Sequence, residues 1–279
     1  MKIYDCFTYC GEDLLLDIRL KTLNESVDKF VIVEGNRYFN GDKKPKLFNI
    51  EKFKSFESKI DYYFIQDYPV YNGNNWDYEY FQRNKIELGL NDLEDNDIIL
   101  ISDVDEIPNL EKIDFNKFQE KIIQFRQDMF YYKFNLKLPN LIWTGTKGCK
   151  KKDLITPQWL RNIKDKKYPL FRIDTILSKT KYISVKFIDD GGWHFSNIKS
   201  AKEIEHKLKS YLHHREFDIN PLNTDEIENI IKNKQAIYDL KVDKRVNKIG
   251  NGSKLENYPT NKLPIYLQKN KKKYEQWID

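Results

Sequence analysis

Residues 97–108, Asp-Ile-Ile-Leu-Ile-Ser-Asp-Val-Asp-Glu-Ile-Pro, decide the fold that this sequence predicts. An apolar run bounded by polar residues is typical of a strand covered on both faces, as in a parallel sheet between helices. Asp103 and Asp105 lie two apart at the carboxyl end of this strand, so their side chains project from the same side. Open α/β sheets bind ligands at that edge. The stretch therefore predicts a strand that carries two carboxylates into a ligand site.

The pair of carboxylates favours a divalent cation. Two negative charges held close together repel each other unless a cation or a shared proton lies between them. Oxygen ligands favour magnesium or manganese, which usually keep positions open for water and for substrate phosphates. The pair therefore predicts a site for a metal-bound diphosphate, although an isolated Asp-x-Asp also occurs in turns and helix caps.

The segments on either side of this strand predict an α/β fold. Strand, helix and strand are predicted at 3–7, 14–23 and 29–34, which together make a right-handed βαβ unit with parallel strands. A strand at 60–65 and a helix at 76–90 extend the order towards a nucleotide-binding half of a doubly wound sheet. Further elements are predicted as two strands within 122–138, a strand at 185–188, and amphipathic helices at 199–213 and 224–240.

We therefore predict a Rossmann-type, mostly parallel sheet flanked by helices, with C-terminal helices, as one catalytic domain over residues 1–240. From residue 241 onwards the sequence is rich in Lys, Asn and Gly. Such a composition predicts a polar, basic and loosely packed tail over residues 241–279.

The composition is that of a globular protein. With 40% hydrophobic and 33% charged residues, the 279-residue chain is too apolar for a disordered one. The net charge of +5 is a small excess in a mixed set, so we expect no nucleic-acid partner. Lysine clusters at 147–152, 164–167 and 271–273 are candidates for contact with phosphates or with an anionic membrane surface.

The cysteines and the absence of long apolar runs bear on the compartment. The three cysteines show no metal-type CxxC spacing, so we expect reduced, structural thiols. No signal-like stretch opens the sequence, and no run approaches the roughly 20 apolar residues that cross a bilayer. These features predict a cytoplasmic protein, and they do not indicate its oligomeric state.

Several short motifs follow one another along the chain: Tyr4-Asp5-Cys6-Phe7, Glu12-Asp13-Leu14-Leu15, Val27-Asp28-Lys29-Phe30-Val31-Ile32-Val33-Glu34, Gln82-Arg83-Asn84, Ile101-Ser102-Asp103-Val104-Asp105-Glu106-Ile107-Pro108 and Gly192-Trp193-His194-Phe195-Ser196. Together, and in this order, they resemble glycosyltransferase family 17. The resemblance implies a GT-A-like fold, a UDP-sugar donor with N-acetylglucosamine as the expected sugar, a glycan acceptor, and inversion at the anomeric carbon.

Under this resemblance the carboxylate pair becomes the metal site of the transferase. Asp103 and Asp105 are expected to bind Mn²⁺ or Mg²⁺, with His194 as the third ligand, because neutral imidazole suits manganese. The metal would stabilise the negative charge that develops on the leaving diphosphate. His194 is expected in a glycine-aromatic turn, and a structural role for this histidine is the alternative.

The resemblance also implies residues that bind the nucleotide. Arg83 and Asn84 are expected to contact it, because a guanidinium group suits a phosphate or a uracil carbonyl. Glu34 is expected to accept hydrogen bonds from uracil or ribose, and Asp103 belongs to the same nucleotide site. The alternatives are a surface position for Arg83 and a turn-capping role for Glu34.

Inversion requires a general base that takes the proton of the acceptor hydroxyl. Asp190 is the first choice because it precedes the glycine turn before His194, and Asp189 and Glu106 are the other candidates. Glu106 has an alternative role, in which it fixes the acidic loop. Two other functions remain open at this stage, a metal-dependent phosphotransferase and a non-catalytic module that binds sugars or nucleotides.

Overall fold

One mixed sheet organises the chain in the computed structural model, which describes residues 1–38, 40–70, 75–169, 171–175, 177–210, 221–238 and 252–279. Within these residues the sheet has ten strands: β1 Ile3–Tyr9, β2 Lys29–Gly35, β3 Ile60–Ile65, β4 Ile98–Asp103, β5 Glu106–Pro108, β6 Ile122–Tyr131, β7 Leu136–Lys150, β8 Val185–Ile188, β9 Gly192–Ser196 and β10 Glu256–Asn257. Their order is β3-β2-β1-β4-β7-β6-β9-β5, with β8 beside β6 and β10 beside β7.

The first four strands form the parallel half of the sheet. β2 pairs with both β1 and β3, and β1 also pairs with β4, all in parallel. This arrangement confirms the predicted α/β class and brings the carboxyl ends of four strands to one edge. Beyond β4 the sheet is mixed rather than mostly parallel, because β7 runs antiparallel to β4 and to β6.

Short helices flank the sheet. The α-helices among the described residues are α1 Asp13–Leu23, α2 Asn75–Asn84, α3 Pro157–Asn162, α4 Ala201–Ser210, α5 Thr224–Lys232 and α6 Ile265–Lys269. The 3₁₀ helices are Ile50–Lys59, Lys85–Gly89, Leu110–Lys112, Phe115–Lys117, Lys151–Asp153, Ile173–Thr175, Thr260–Lys262 and Lys271–Trp277. Of these helices, none combines the length and apolar character needed to cross a membrane.

Three predicted helices differ in extent from the observed ones. The helix predicted at 76–90 is α-helical to Asn84 and then narrows to a 3₁₀ helix, which ends at Gly89 against β2. A Cβ at Gly89 would lie 2.6 Å from Val31 Cγ1, so glycine permits this close approach. α5 stops at Lys232, short of the predicted end, while residues 211–213 and 239–240 of the predicted helices lie outside the described residues.

The core lies on both faces of the parallel strands. Alternate residues of β1, β2 and β4 belong to two separate buried clusters, one containing Phe7, Ile32 and Leu100. The other contains Cys6 and Ile101 from the opposite face. Because both faces are covered, these strands read as continuous apolar runs, which is the pattern that made them predictable.

The C-terminal segment packs more tightly than its composition predicts. Of residues 252–279, Leu263, Leu267 and Tyr274 are no more than 2% exposed and join the large core cluster. The expectation of a loosely packed tail is therefore wrong for these three residues, whose apolar side chains turn inward although they are set among lysines and asparagines. Residues 239–251 lie outside the described part of the chain.

Candidate active site

A short acidic loop joins β4 to β5 and carries the predicted carboxylates. Glu106 closes it, because its carboxylate accepts the backbone N–H of Asp103 at 2.8 Å. The same carboxylate accepts Trp143 Nε1 at 2.7 Å and two N–H groups of Arg161 at 2.7 and 3.0 Å. Glu106 is completely buried. With its oxygens engaged in this way it holds the loop, which favours the alternative role of Glu106 over that of general base.

Arg19 of α1 supports this loop from below. Its side chain is completely buried and makes an ion pair with Asp5 of β1 at 2.6 Å. Its Nη1 donates to three carbonyl oxygens of the loop, those of Asp103, Val104 and Glu106, at 3.1, 3.3 and 2.8 Å. A guanidinium group suits this position because it presents several donors in a fixed plane. The loop is therefore fixed on one side by Glu106 and on the other by Arg19.

Two arginines form ion pairs with the carboxylate of Asp103. Arg83 of α2 reaches one oxygen at 3.0 Å and Arg161 of α3 reaches the other at 3.1 Å. Burial raises the pKa of Asp103, but the charges of Arg161 and Arg83 outweigh it and hold that pKa well below its usual range. Arg83 is itself 3% exposed and also contacts Glu79 and Gln158. Arg83 thus lies against Asp103, and its ion pair orients the carboxylate.

Asp105 and His194 form the second charged pair of the site. β9 runs antiparallel to β5 with His194 opposite Glu106, which sets His194 Nε2 3.5 Å from Asp105 Oδ2. His194 therefore lies in a strand and not in the predicted turn. Burial lowers the pKa of His194, but the carboxylate of Asp105 outweighs it and the net pKa is raised. Nδ1 of His194 is buried and has no hydrogen-bond partner among the described residues, while the Trp143 ring packs 5.2 Å from the imidazole.

A cleft of about 550 Å³ opens at the carboxyl ends of β1 and β2. Tyr9 and Cys10 line it where β1 ends, and Gly11 turns the chain with a φ of +95°. Lys207 connects the cleft to the acidic loop. Burial raises the pKa of Asp105 and His194 lowers it, and the charge of Lys207 lowers it further, so that the net pKa lies below its ordinary value. Five basic side chains line the cleft, against three acidic ones: Arg37, Lys52, Lys199, Lys202 and Lys207, with Glu12, Asp13 and Glu203. An anionic ligand suits this lining.

Two predicted nucleotide contacts have structural roles instead. Glu34 is completely buried and pairs with Lys44. Its carboxylate also accepts Leu47 N at 2.7 Å, Phe48 N at 3.0 Å and the Tyr62 hydroxyl at 2.8 Å. These contacts favour the alternative role of Glu34, because its carboxylate holds the loop that follows β2.

Asn84 secures α3. Its Oδ1 accepts the backbone N–H of Gln158 at 2.9 Å, at the start of the helix that carries Arg161. α2 and α3 therefore approach the acidic loop as a unit, with one arginine from each.

Asp190 lies in a different cleft. The residues that line this second cleft, of about 410 Å³, are Arg126, Asp128, Ile142, Asp165, Asp189 and Asp190. Asp190 occupies the turn between β8 and β9 with a φ of +49°, and neighbouring Asp189 is paired with Arg126 at 3.2 Å. Among the described residues none lines both clefts, so Asp190 lies outside the basic cleft.

Several residues that build the site carry no recognisable sequence signal. Arg161 and Glu79 sit on short amphipathic stretches without a motif, and each becomes significant only because folding brings it to Asp103 or to Arg83. Trp143 likewise becomes significant through a long-range contact, the hydrogen bond from its indole N–H to Glu106. Within the described ranges, no group of three or more His, Cys, Asp and Glu side chains converges in a way that could hold a metal ion.

Comparison with known proteins adds the family. The model of glycosyltransferase family 17 matches residues 1–155, which is more than half of the chain. No curated protein matches. Among solved structures, the crystal structure of HddC from Yersinia pseudotuberculosis complexed with GMP-PN is similar at 11% identity and a TM-score of 0.29, over 68% of this chain and 90% of that one. That likeness is too low to support an inference. The matched region spans β1 to β7 and includes the acidic loop and Arg83, and on this basis the chain belongs to glycosyltransferase family 17.

Proposed function

We propose that the protein is a metal-dependent, inverting glycosyltransferase of GT-A type that transfers a sugar, N-acetylglucosamine in the first instance, from a UDP-sugar to a hydroxyl of a glycan acceptor. One observation carries this proposal beyond the family. A basic cleft opens at the carboxyl ends of β1 and β2, where an α/β sheet binds its ligands, and the charge of Lys207 in its lining acts on Asp105.

Asp105 and His194 fit a divalent cation better than Asp103 does. The two side chains already approach to 3.5 Å, measured between His194 Nε2 and Asp105 Oδ2. Carboxylate and imidazole suit Mn²⁺, and Mg²⁺ is the alternative. Each oxygen of Asp103 already accepts an arginine N–H. We therefore assign Asp103 to holding Arg83 and Arg161 beside the diphosphate rather than to direct ligation.

The bound metal would supply positive charge for the leaving diphosphate. The chain supplies further positive charge from the cleft, where Lys207 and Lys199 lie on the α4 side and Arg37 lies after β2. Lysine and arginine in a partly enclosed cleft bind phosphate oxygens and reduce the cost of the charge that develops on them. Tyr38 and His206, whose rings pack edge to face at 6.4 Å, provide the aromatic surface for a base or a sugar ring.

Thermal stabilisation by ligands tests this proposal. A ligand that binds only the folded protein raises the midpoint of unfolding. We expect UDP or UDP-N-acetylglucosamine to do so with MnCl₂ present, and we expect the shift to be lost with EDTA and in Asp105→Asn. Asp189→Asn is the matched control, because its side chain is 81% exposed and lines the other cleft.

The outcomes separate the alternatives. Stabilisation by UDP together with release of UDP from UDP-N-acetylglucosamine on a glycan acceptor supports the transferase. Stabilisation that needs no metal and no Asp105, without transfer, would point to a binding module. A panel of UDP-sugars and other nucleotides that produces no shift would refute the nucleotide-sugar site.

A further inference from the structure

Three bulky apolar side chains protrude from one loop that the proposed function does not use. We name residues 164–181 the basic loop; residues 170 and 176 lie outside the described part of the chain. Phe171 is 85% exposed, Ile173 is 75% exposed and Leu177 is 88% exposed. Single exposed apolar residues are ordinary, but three within seven positions form a patch that calls for a covering surface.

The basic loop also concentrates positive charge. Its two acids are both engaged, since Asp174 pairs with Arg172 at 2.6 Å and with Lys181 at 2.8 Å, while Asp165 accepts the hydroxyl of Thr144. Four of its lysines are exposed and form no ion pair with any described residue: Lys164, Lys166, Lys167 and Lys179. The six basic residues of the loop are Lys164, Lys166, Lys167, Arg172, Lys179 and Lys181.

The base of the basic loop is fixed to the body of the protein. Lys164 N donates to Thr180 O at 2.8 Å and closes the loop across its neck. Trp159 of α3 donates its indole N–H to Lys179 O at 2.8 Å. Thr175 is buried within the loop and donates its hydroxyl to Arg172 O at 2.6 Å. The exposed side chains therefore extend from a braced platform.

We propose that the basic loop docks this protein on an anionic lipid surface. Apolar side chains interleaved with lysine and arginine match the interface of an anionic bilayer, where rings and aliphatic groups insert and the cations meet the headgroups. The cores of protein interfaces, in contrast, are depleted in lysine. The loop residue Asp165 also lines the second cleft. The lipid surface would lie beside that cleft.

Co-sedimentation with lipid vesicles tests this inference. The purified protein is mixed with vesicles of phosphatidylcholine alone or of phosphatidylcholine with phosphatidylglycerol. The apolar variant replaces Phe171, Ile173 and Leu177 by Ser, and the charge variant is K166Q/K179Q. A control variant, V70S/I265S, removes apolar side chains that are 94% and 49% exposed elsewhere. Circular dichroism establishes that each variant remains folded.

We expect wild type and control to bind the anionic vesicles and to bind them less well at high salt. The apolar variant and the charge variant should each bind at least about tenfold more weakly, since both insertion and headgroup attraction contribute. Absence of wild-type binding overturns the proposal, and so does equal binding to both vesicle types or an equal loss in the control. Light scattering tests self-association as the other explanation. If wild type is a dimer, the apolar variant is a monomer and both bind vesicles equally, the patch is a dimer interface and the proposal is overturned.

Discussion

Removal of Arg161 should be among the most damaging single changes in this chain. Arg161→Met keeps an apolar stem but deletes two charge-assisted hydrogen bonds to Glu106 and one to Asp103. Asp103 retains Arg83 and some solvent, whereas Glu106 is 0% exposed and loses its only charged partner among the described residues. Breaking a buried pair from one side costs about 3–5 kcal/mol, mostly because the other charge stays buried. That loss is a large fraction of the stability of a typical domain.

Urea denaturation followed by circular dichroism measures this cost by linear extrapolation. Arg172→Met is the control, because its pair with Asp174 is exposed to solvent and such a pair contributes little to stability. The double variant E106Q/R161M removes the stranded charge and should recover about 2 kcal/mol or more relative to R161M. A loss below about 1 kcal/mol in R161M, or no recovery in the double variant, would refute the view that Arg161 neutralises a buried Glu106.

Three further outcomes are expected. Asp105→Asn should reduce transfer by at least about a hundredfold while Asp190→Asn stays within about threefold, as measured by kcat/KM; the reverse ranking would move the chemistry to the second cleft. Burial, helped by Arg161, lowers the pKa of Lys147 to about 7, so the folded protein releases this proton at a pH where the unfolded chain keeps it. The free energy of unfolding of wild type relative to Lys147→Met should therefore rise between pH 7 and pH 9, by up to about 1.4 kcal/mol per pH unit, and a flat difference would contradict this. Gly192→Ala should destabilise by about 2 kcal/mol or more in the same urea assay, because its φ is +130° and a Cβ would lie 2.2 Å from a backbone oxygen, whereas unchanged stability would show that the strand can move aside.

The sequence predicted the parallel half of the fold well because local patterns determine it. The strand at Ile60–Ile65 matches the prediction in both bounds, and the other three strands of that half match within two residues at each end. Each reads as an apolar run, since both faces are covered. β9 was missed because Gly191 and Gly192 look like a turn, whereas the φ of Gly192 lets the chain enter a strand close to Pro108.

The candidate site was predictable in its location but not in its contacts. The position of Asp103 could be predicted because an apolar strand precedes it, and the same strand predicts the edge of the sheet at which it lies. Glu34 also stands at the end of an apolar strand. Its carboxylate is nevertheless buried, where it pairs with Lys44, ten residues further along the chain. Arg161 comes from 58 residues after Asp103, on a helix without a motif. Local patterns place a carboxylate at an edge, while the partner that reaches it depends on long-range packing.

The contacts of Arg19 tie the acidic loop to the first helix, and this link bears on how the site can come apart. A loop held only by its own turn could open while the rest of the protein stayed folded. Here the carbonyl oxygens of Asp103, Val104 and Glu106 are held by a side chain buried beneath the sheet. Local opening of the loop would remove three acceptors from that buried guanidinium group, so backbone amides from 103 to 106 should exchange with solvent more slowly than those of a loop held only by its own turn. Substitutions in the first 23 residues would then alter the site as surely as substitutions within it.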